Sequence, residues 1–126
     1  MKTIDIGRLG EKEAAKLLKK SGYRIVACNS HFSHNEIDII AKNKEYIVFV
    51  EVKTRSTDKN LSYDFGTPAS AVTRSKQQRT VSAARAFLKD GKYDKLQPRF
   101  DVIEVHLDKD DMKVLAINHI TNAFGA

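Results

Sequence analysis

Two short apolar segments joined by a polar turn constrain the fold of this 126-residue chain more than any other feature. They are E-I-D-I-I-A-K at 36–42 and Y-I-V-F-V-E-V-K-T at 46–54, and they are joined around Asn43 and Lys44. Segments rich in β-branched and aromatic residues and flanked by turn residues are typical of strands, so this stretch predicts an antiparallel β-hairpin. Its charged side chains need partners, because an uncompensated charge within an apolar strand costs folding free energy.

The charged side chains of the hairpin are predicted to share one face. If the turn is centred between residues 43 and 44, Asp38 lies opposite Phe49 and Glu36 lies opposite Glu51. Asp38 and Glu51 are then diagonal neighbours, roughly 7 Å apart at the backbone, whereas a shift of one residue would place them on opposite faces. Strand alternation assigns one face to Ile37, Ile39, Val48, Val50 and Val52, and the other to Ile40, Ile47, Phe49, Asp38, Glu51 and Lys53.

A helix is predicted over residues 7–20, before the hairpin. Its apolar stripe, at helical spacing, is formed by Ala14, Ala15 and Leu18. Glu11 lies on the same stripe, which places an acid on the buried face of the helix. Gly7 and Gly10 would let the helix approach the sheet closely.

The remaining segments predict an α/β fold in a single domain over residues 1–126. Apolar patterns indicate strands at 23–29, 100–106 and 113–119, a helix at 74–88 and a long connection at 55–73. The succession of strand, helix and strand from residue 46 to 106 predicts a parallel crossover, and therefore a mixed sheet. The last segment adds a C-terminal strand.

The composition narrows the class of protein. The net charge of +6 favours nucleic acid as a partner, although many basic proteins carry such a charge for solubility alone. The sequence contains no run of about 18 apolar residues, so no membrane span is predicted. The N-terminus lacks the apolar core of a signal peptide. Cys28 is the single cysteine, which excludes an internal disulfide and cysteine-based zinc sites. We therefore expect a cytoplasmic protein.

The acids of the hairpin and of the first helix predict a metal site. Asp38, Glu51 and Glu11 would supply oxygen ligands without histidine or cysteine, which suits Mg²⁺ or Mn²⁺. Lys53, beside them, would orient or deprotonate water, or contact a scissile phosphate, so the chemistry indicated is phosphodiester hydrolysis. The alternative is an exposed edge pair of Glu51 and Lys53, with Asp38 merely flanking a turn.

The spacing of acid, any residue and lysine is not informative by itself. It occurs at Glu51, at Asp90 and at Asp111, which is close to the number expected by chance. Only the first example lies in an apolar strand with a second acid on the preceding strand.

Motifs spread along the chain resemble those of the UPF0102 (YraN) family, within the PD-(D/E)XK nuclease superfamily. They are G-R-L-G-E at 7–11, G-Y at 22–23, E-I-D at 36–38, F-V-E-V-K-T-R at 49–55, G-T-P at 66–68, A-V at 71–72, K at 76 and R-F-D-V-I at 99–103. The resemblance implies a restriction-endonuclease-like αβββαβ core, similar to archaeal Holliday junction resolvases. One difference is Asn35, where the family usually has glycine.

The resemblance also implies roles for individual residues. Glu11 matches the helix acid, Asp38 and Glu51 match the metal-binding acids, and Lys53 matches the catalytic lysine. The carbonyl of Val52 would be a further metal ligand. A polar position on the second helix corresponds to Lys76 or Gln78.

Basic residues on the second helix predict contacts to DNA phosphates. Lys76 and Arg79 lie near its N-terminus, where the helix dipole favours anions, and Arg55 ends the catalytic strand. An ordinary solvated helix face is the alternative. No base-reading element is evident, so DNA binding without sequence specificity is expected. The basic residues of the helix are Arg74, Lys76, Arg79, Arg85 and Lys89.

Three functions remain open from the sequence. The first is a Mg²⁺-dependent DNA endonuclease, acting on branched DNA for example, and cleavage of both strands of a junction would call for a homodimer. The second is a non-catalytic nucleic-acid-binding module with the same fold. The third is an adaptor that binds a protein through the 55–73 loop. Tyr63 and Phe65 in this loop would stack on unpaired bases if the protein binds nucleic acid, and would otherwise pack at a dimer interface or cover the core.

Overall fold

The computed structural model describes residues 5–57 and 72–125, in which a five-stranded sheet packs between two helices. The predicted elements are all present, in the predicted order. They are α1 (Ile6–Lys20), β1 (Arg24–Phe32), β2 (Asn35–Lys42), β3 (Tyr46–Thr57), α2 (Arg74–Leu88), β4 (Gln97–Asp108) and β5 (Val114–Phe124).

The sheet is mixed, as predicted. Its strands lie in sequence order, and every neighbouring pair is antiparallel except β3 and β4, which are parallel and connected through α2. This α/β architecture, with its parallel crossover and additional strand β5, is consistent with a restriction-endonuclease-like fold. Within residues 5–57 and 72–125, no helix is long and apolar enough to cross a membrane.

Several strands are longer than their sequence patterns predict. β3 continues to Thr57, which pairs with Asp108 at the end of β4, so part of the predicted 55–73 connection is strand. Pairing with a neighbouring strand satisfies backbone groups even where the residues themselves are polar. Residues 58–71, with the predicted roles of Tyr63 and Phe65, lie outside the described residues.

The two faces of the sheet are covered by different helices. α1 buries Ala14 and Leu18 against one face, and α2 buries Val81 and Ala84 against the other. The α1 face includes Ile39, Ala41, Val48, Val50, Ile103, Val105 and Leu107. The α2 face includes Ile37, Ile40, Ile47, Phe49 and Phe100.

The register of the hairpin differs by two residues from the prediction. The observed pairs run from Lys42 opposite Ile47 to Ile39 opposite Val50, so the turn is centred on Lys44 and Glu45. A shift of two keeps every side chain of a regular ladder on its face. Asp38 lies one step beyond the last pair, so the predicted diagonal placement opposite Phe49 does not apply to it.

The predicted alternation also fails at one residue. Ile37 packs with the α2 cluster, whereas Ile39 packs with the α1 cluster, although both were assigned to one face. The regular pairing of β2 with β3 ends at Ile39, so no pair of the ladder fixes the side-chain direction at Asp38. The alternation therefore breaks at the acid itself.

Gly10 allows α1 to approach β3, as predicted. It is buried, and a Cβ at this position would overlap the side chain of Thr54. We expect Gly10→Ala to lower the free energy of unfolding by about 1–3 kcal/mol, the usual cost of overpacking. Gly7→Ala is the matched control, because its Cβ would meet only the exposed Asp5 carboxylate, at 3.3 Å.

Urea unfolding of both variants measures this difference. Gly7→Ala is expected to be neutral or slightly stabilising, since alanine is favoured over glycine within a helix. Equal effects of the two substitutions would contradict a close contact between α1 and β3 at Gly10.

Candidate active site

Two acids meet where β2 and β3 separate. Oδ2 of Asp38 accepts a hydrogen bond of 2.8 Å from the backbone N–H of Val52, which replaces the strand pairing that ends one residue earlier. Asp38 and Glu51 influence the pKa of each other, so the two carboxyl groups lie close together. Glu51 is buried, with a relative exposure of 7%. The hairpin therefore holds two carboxyl groups together, largely away from water.

Two lysines flank Glu51 from different elements. Nζ of Lys53, two residues further along β3, lies 3.6 Å from Oε1 of Glu51. Nζ of Lys76, in the first turn of α2, lies 3.8 Å from Oε2 of the same side chain. Each carboxylate oxygen of Glu51 thus faces one ammonium group.

The pKa values of both acids are raised, so a nearby positive charge would stabilise their ionised forms. Burial raises the pKa of the Asp38 carboxyl above its usual range, although the Val52 N–H and the charge of Lys76 oppose the rise. Burial, and then the negative charge of Asp38, raise the pKa of Glu51 as well, against the effects of Lys76 and Lys53. Two adjacent acids whose ionised forms are disfavoured in this way are common at functional sites.

Glu11 lies near this pair. Burial raises the pKa of its carboxyl, the side chain of Asn29 opposes the rise, and the negative charges of Asp38 and Glu36 add to it. Among residues 5–57 and 72–125, no three His, Cys, Asp or Glu side chains converge closely enough to hold a metal ion. The role of Glu11 as a third ligand stays a prediction.

The predicted phosphate-binding residues are distributed over different surfaces. Lys76 and Arg79 line one cleft of about 200 Å³, together with His34, Asn35 and Glu36. His34 in the β1–β2 turn and Asn35 at the start of β2 also line this cleft, and the sequence pattern gave no indication of their part in it.

Two further predicted residues lie elsewhere. Gln78 lines a separate groove with Arg74 and Arg85, on another side of α2, so Lys76 is the polar residue of this helix that reaches Glu51. Arg55 is exposed on β3, where its backbone pairs with that of His106 on β4.

Buried polar residues on β4 were also missed. Glu104 and His106 are 3% and 4% exposed, and Nε2 of His106 lies 4.0 Å from Oε2 of Glu104. Glu104 pairs with Lys53 in the β3–β4 register, so it adjoins the site. The signal was present in the sequence, because V-I-E-V-H at 102–106 sets polar residues into an apolar strand as the hairpin does.

Comparison with known proteins gives the family. The family model described as "Uncharacterised protein family UPF0102" matches residues 10–105. A UPF0102 protein of Alkaliphilus oremlandii is 46% identical over 121 residues, which cover 94% of this chain and 97% of that protein. A UPF0102 protein of Caldanaerobacter subterraneus subsp. tengcongensis is 44% identical over 119 residues, covering 94% and 93%. The chain therefore belongs to the UPF0102 family.

Proposed function

We propose that this protein is a Mg²⁺-dependent endonuclease of the PD-(D/E)XK type that hydrolyses phosphodiester bonds in DNA. The observation that carries the proposal is the quartet of Asp38, Glu51, Lys53 and Lys76. Two half-buried or buried acids with raised pKa values lie beside two lysines, at the end of a hairpin and next to a basic helix. A merely structural ion pair would need only one acid and one base.

The acids present suit Mg²⁺. This ion is usually held by one or two carboxylates, with waters and substrate phosphates filling the other positions. Asp38 and Glu51 supply that number, and the carbonyl of Val52, next to Glu51 on β3, would be a further oxygen ligand. The raised pKa values of both acids fit such a site, because a cation would offset the repulsion between their ionised forms. A bound Mg²⁺ would stabilise the negative charge that develops on the scissile phosphate.

The remaining residues would position the reactants. Lys53, whose side chain is 36% exposed, can reach a phosphate or an attacking water while it stays beside Glu51. The Val52 N–H fixes the orientation of the Asp38 carboxylate, so that one oxygen stays turned toward the backbone. Such pre-positioning is a large part of phosphoryl-transfer catalysis.

The basic residues around the quartet favour a polyanionic substrate. Arg79 and Lys76 line the adjoining cleft, and Arg55 is exposed on the catalytic strand. Each contact to a phosphate adds salt-dependent affinity without reading a base. We therefore propose DNA recognised by its backbone or its branching, in the cytoplasm, and a homodimer where two strands of a junction are cut.

Cleavage by the purified protein tests the proposal. Labelled single-stranded, duplex, flap and four-way-junction DNA are incubated with Mg²⁺, with Mn²⁺ or with EDTA, and nicks are counted on denaturing gels. We expect nicking of at least one substrate with either ion and none with EDTA. Asp38→Ala and Glu51→Ala should lower the rate by at least about a thousandfold, because each removes a carboxylate that holds the ion.

Binding measurements separate this function from a non-catalytic module. Arg79→Ala should weaken DNA binding, whereas Asp38→Ala should leave it unchanged or stronger, because it removes a negative charge. Nicking that survives both Asp38→Ala and Glu51→Ala would come from a contaminating nuclease. DNA binding without cleavage of any substrate would favour the non-catalytic module.

A further inference from the structure

Both carboxylate oxygens of Glu51 already face an ammonium group. Lys53 Nζ lies 3.6 Å from Oε1, and Lys76 Nζ lies 3.8 Å from Oε2. A divalent cation bound to this carboxylate would stand close to both ammonium groups, and like charges repel strongly at such short distances. One lysine should therefore move away when the ion binds.

Of the two lysines, Lys76 also lines a neighbouring cleft, whose lining does not include Lys53. The backbone of Lys76 is fixed at the start of α2, where its N–H donates to Thr73 Oγ1 at 3.1 Å and its carbonyl accepts from Thr80 Oγ1 at 3.0 Å. The side chain is 29% exposed, and no hydrogen bond is seen for its ammonium group among the described residues. Four rotatable bonds allow such an ammonium to change partners while the helix stays in place.

An alternative place for this ammonium lies next to Glu51. Lys76 lines the cleft between α2 and the β1–β2 turn and also lies beside Glu51, so its ammonium group can reach either place. Arg79 lines the same cleft one turn later. The opposite side is lined by His34 and Asn35, which offer hydrogen-bonding groups, and by Glu36, whose carboxylate a cation would have to offset when a phosphate binds. The volume of about 200 Å³ is sufficient for a phosphodiester group.

We propose that Lys76 and a divalent cation compete for Glu51, and that the displaced lysine binds a phosphate of the substrate in this cleft. The inference rests on the proposed function and adds a coupling to it. Ion binding turns the ammonium toward the DNA, and DNA binding holds it away from Glu51. Coupling of this kind is reciprocal, so each ligand strengthens the binding of the other.

Binding of Mn²⁺ alone tests the competition, without any turnover. Free Mn²⁺ is measured by electron paramagnetic resonance during titration of the wild type and of three variants. Lys76→Gln removes the competitor, Lys76→Arg keeps its charge, and Arg79→Gln removes a charge from the same helix and cleft. We expect Lys76→Gln to bind Mn²⁺ about fivefold to tenfold more tightly, and the other two to stay within about twofold of the wild type.

The outcomes separate this inference from the proposed function. Equal Mn²⁺ affinities of Lys76→Gln and the wild type would overturn the competition while leaving the metal site intact. An equal gain in Arg79→Gln would also overturn it, since the effect would then reflect only the overall charge of α2. No Mn²⁺ binding by the wild type would overturn both the metal site and the competition.

A separate measurement tests whether the displaced Lys76 binds a phosphate of the DNA. Fluorescence anisotropy gives the affinity for a labelled duplex oligonucleotide with and without Ca²⁺, an ion that also prefers oxygen ligands. Ca²⁺ should strengthen binding by the wild type about threefold more than binding by Lys76→Gln. The same strengthening in both proteins would mean that Lys76 does not pass from Glu51 to the DNA.

Discussion

Asp101→Ala is expected to lower the free energy of unfolding by about 3–5 kcal/mol, the usual cost of breaking a buried charge pair from one side. Asp101 is fully buried on β4, and its carboxylate accepts four hydrogen bonds. Arg99 supplies two of them, at 2.9 and 2.8 Å, His119 supplies one at 2.7 Å, and the N–H of Asn122 supplies one at 2.9 Å.

The loss should be large because the partners of Asp101 have little access to water: the side chains of Arg99 and His119 are 11% and 15% exposed. The guanidinium of Arg99 lies over the rings of Tyr23 and Tyr46, and it donates to the Tyr23 hydroxyl at 2.6 Å. Without the carboxylate, a positive charge stays in this aromatic enclosure with much less compensation. The network joins Tyr23, just before β1, to Tyr46 at the start of β3 and to residues of β4 and β5. Its loss should therefore affect the whole sheet.

The pH dependence of this contribution can be derived from the direction of the pKa shift. Although burial works the other way, hydrogen bonds from His119 and Arg99 lower the pKa of Asp101 below its usual range. Its stabilisation is therefore complete above the unfolded-state pKa and is lost as the pH falls through the folded-state pKa. The difference between wild type and Asp101→Ala should shrink in acid.

Urea unfolding at several pH values measures both effects. Asp110→Ala is the matched control, because Asp110 is exposed in the β4–β5 turn, and its effect should stay within about 0.5 kcal/mol. A loss below about 1 kcal/mol for Asp101→Ala would contradict the network as a source of stability.

Much of the fold follows from the sequence because its hydrophobic periods are clear. The segments around Ile39 and Phe49 are apolar runs of strand length bounded by turn residues, and Ala14 and Leu18 repeat at helical spacing, so the elements and the mixed sheet could be predicted. The acid pair could be predicted for the same reason, since Asp38 and Glu51 interrupt those periods.

The register could have been predicted from the chemistry of the turn. Oδ1 of Asn43 accepts hydrogen bonds from the N–H groups of Glu45, at 2.9 Å, and of Tyr46, at 2.8 Å. The N–H of Asn43 also donates to the carbonyl of Tyr46 at 3.0 Å. Asparagine favours the first position of such turns, which puts Lys44 and Glu45 at the centre. The symmetric placement about Asn43 and Lys44 ignored this preference.

The partners of distant residues could not be predicted by periodicity. Nothing local indicates that Arg99 and Asp101 meet Tyr23 and His119, since these contacts depend on how β1, β4 and β5 pack. In the same way, the basic spacing on α2 marks several phosphate-binding candidates, but only tertiary packing selects Lys76 as the one beside Glu51.

Asp38→Asn is expected to change stability in the opposite direction to Asp101→Ala while abolishing cleavage. The amide oxygen can still accept the Val52 N–H, but the side chain no longer carries a charge beside Glu51. Without a divalent ion at neutral pH, the free energy of unfolding should rise by about 0.5–2 kcal/mol, as is common when a functional site is neutralised. The cleavage rate should fall by at least about a thousandfold, because a neutral amide is a poor ligand for Mg²⁺.

The sign of the pH dependence distinguishes the two buried acids. Because the folded-state pKa of Asp38 is raised, its contribution to stability is complete below the unfolded-state pKa and is lost as the pH rises through the folded-state pKa. The advantage of Asp38→Asn should therefore grow from acid to neutral pH, measured by urea unfolding in EDTA. Asp101→Asn is the matched comparison and should destabilise most at neutral pH. If Asp38→Asn instead lowered the free energy of unfolding at neutral pH, Asp38 would stabilise the fold, as Asp101 does, and would not belong to a cation-binding site.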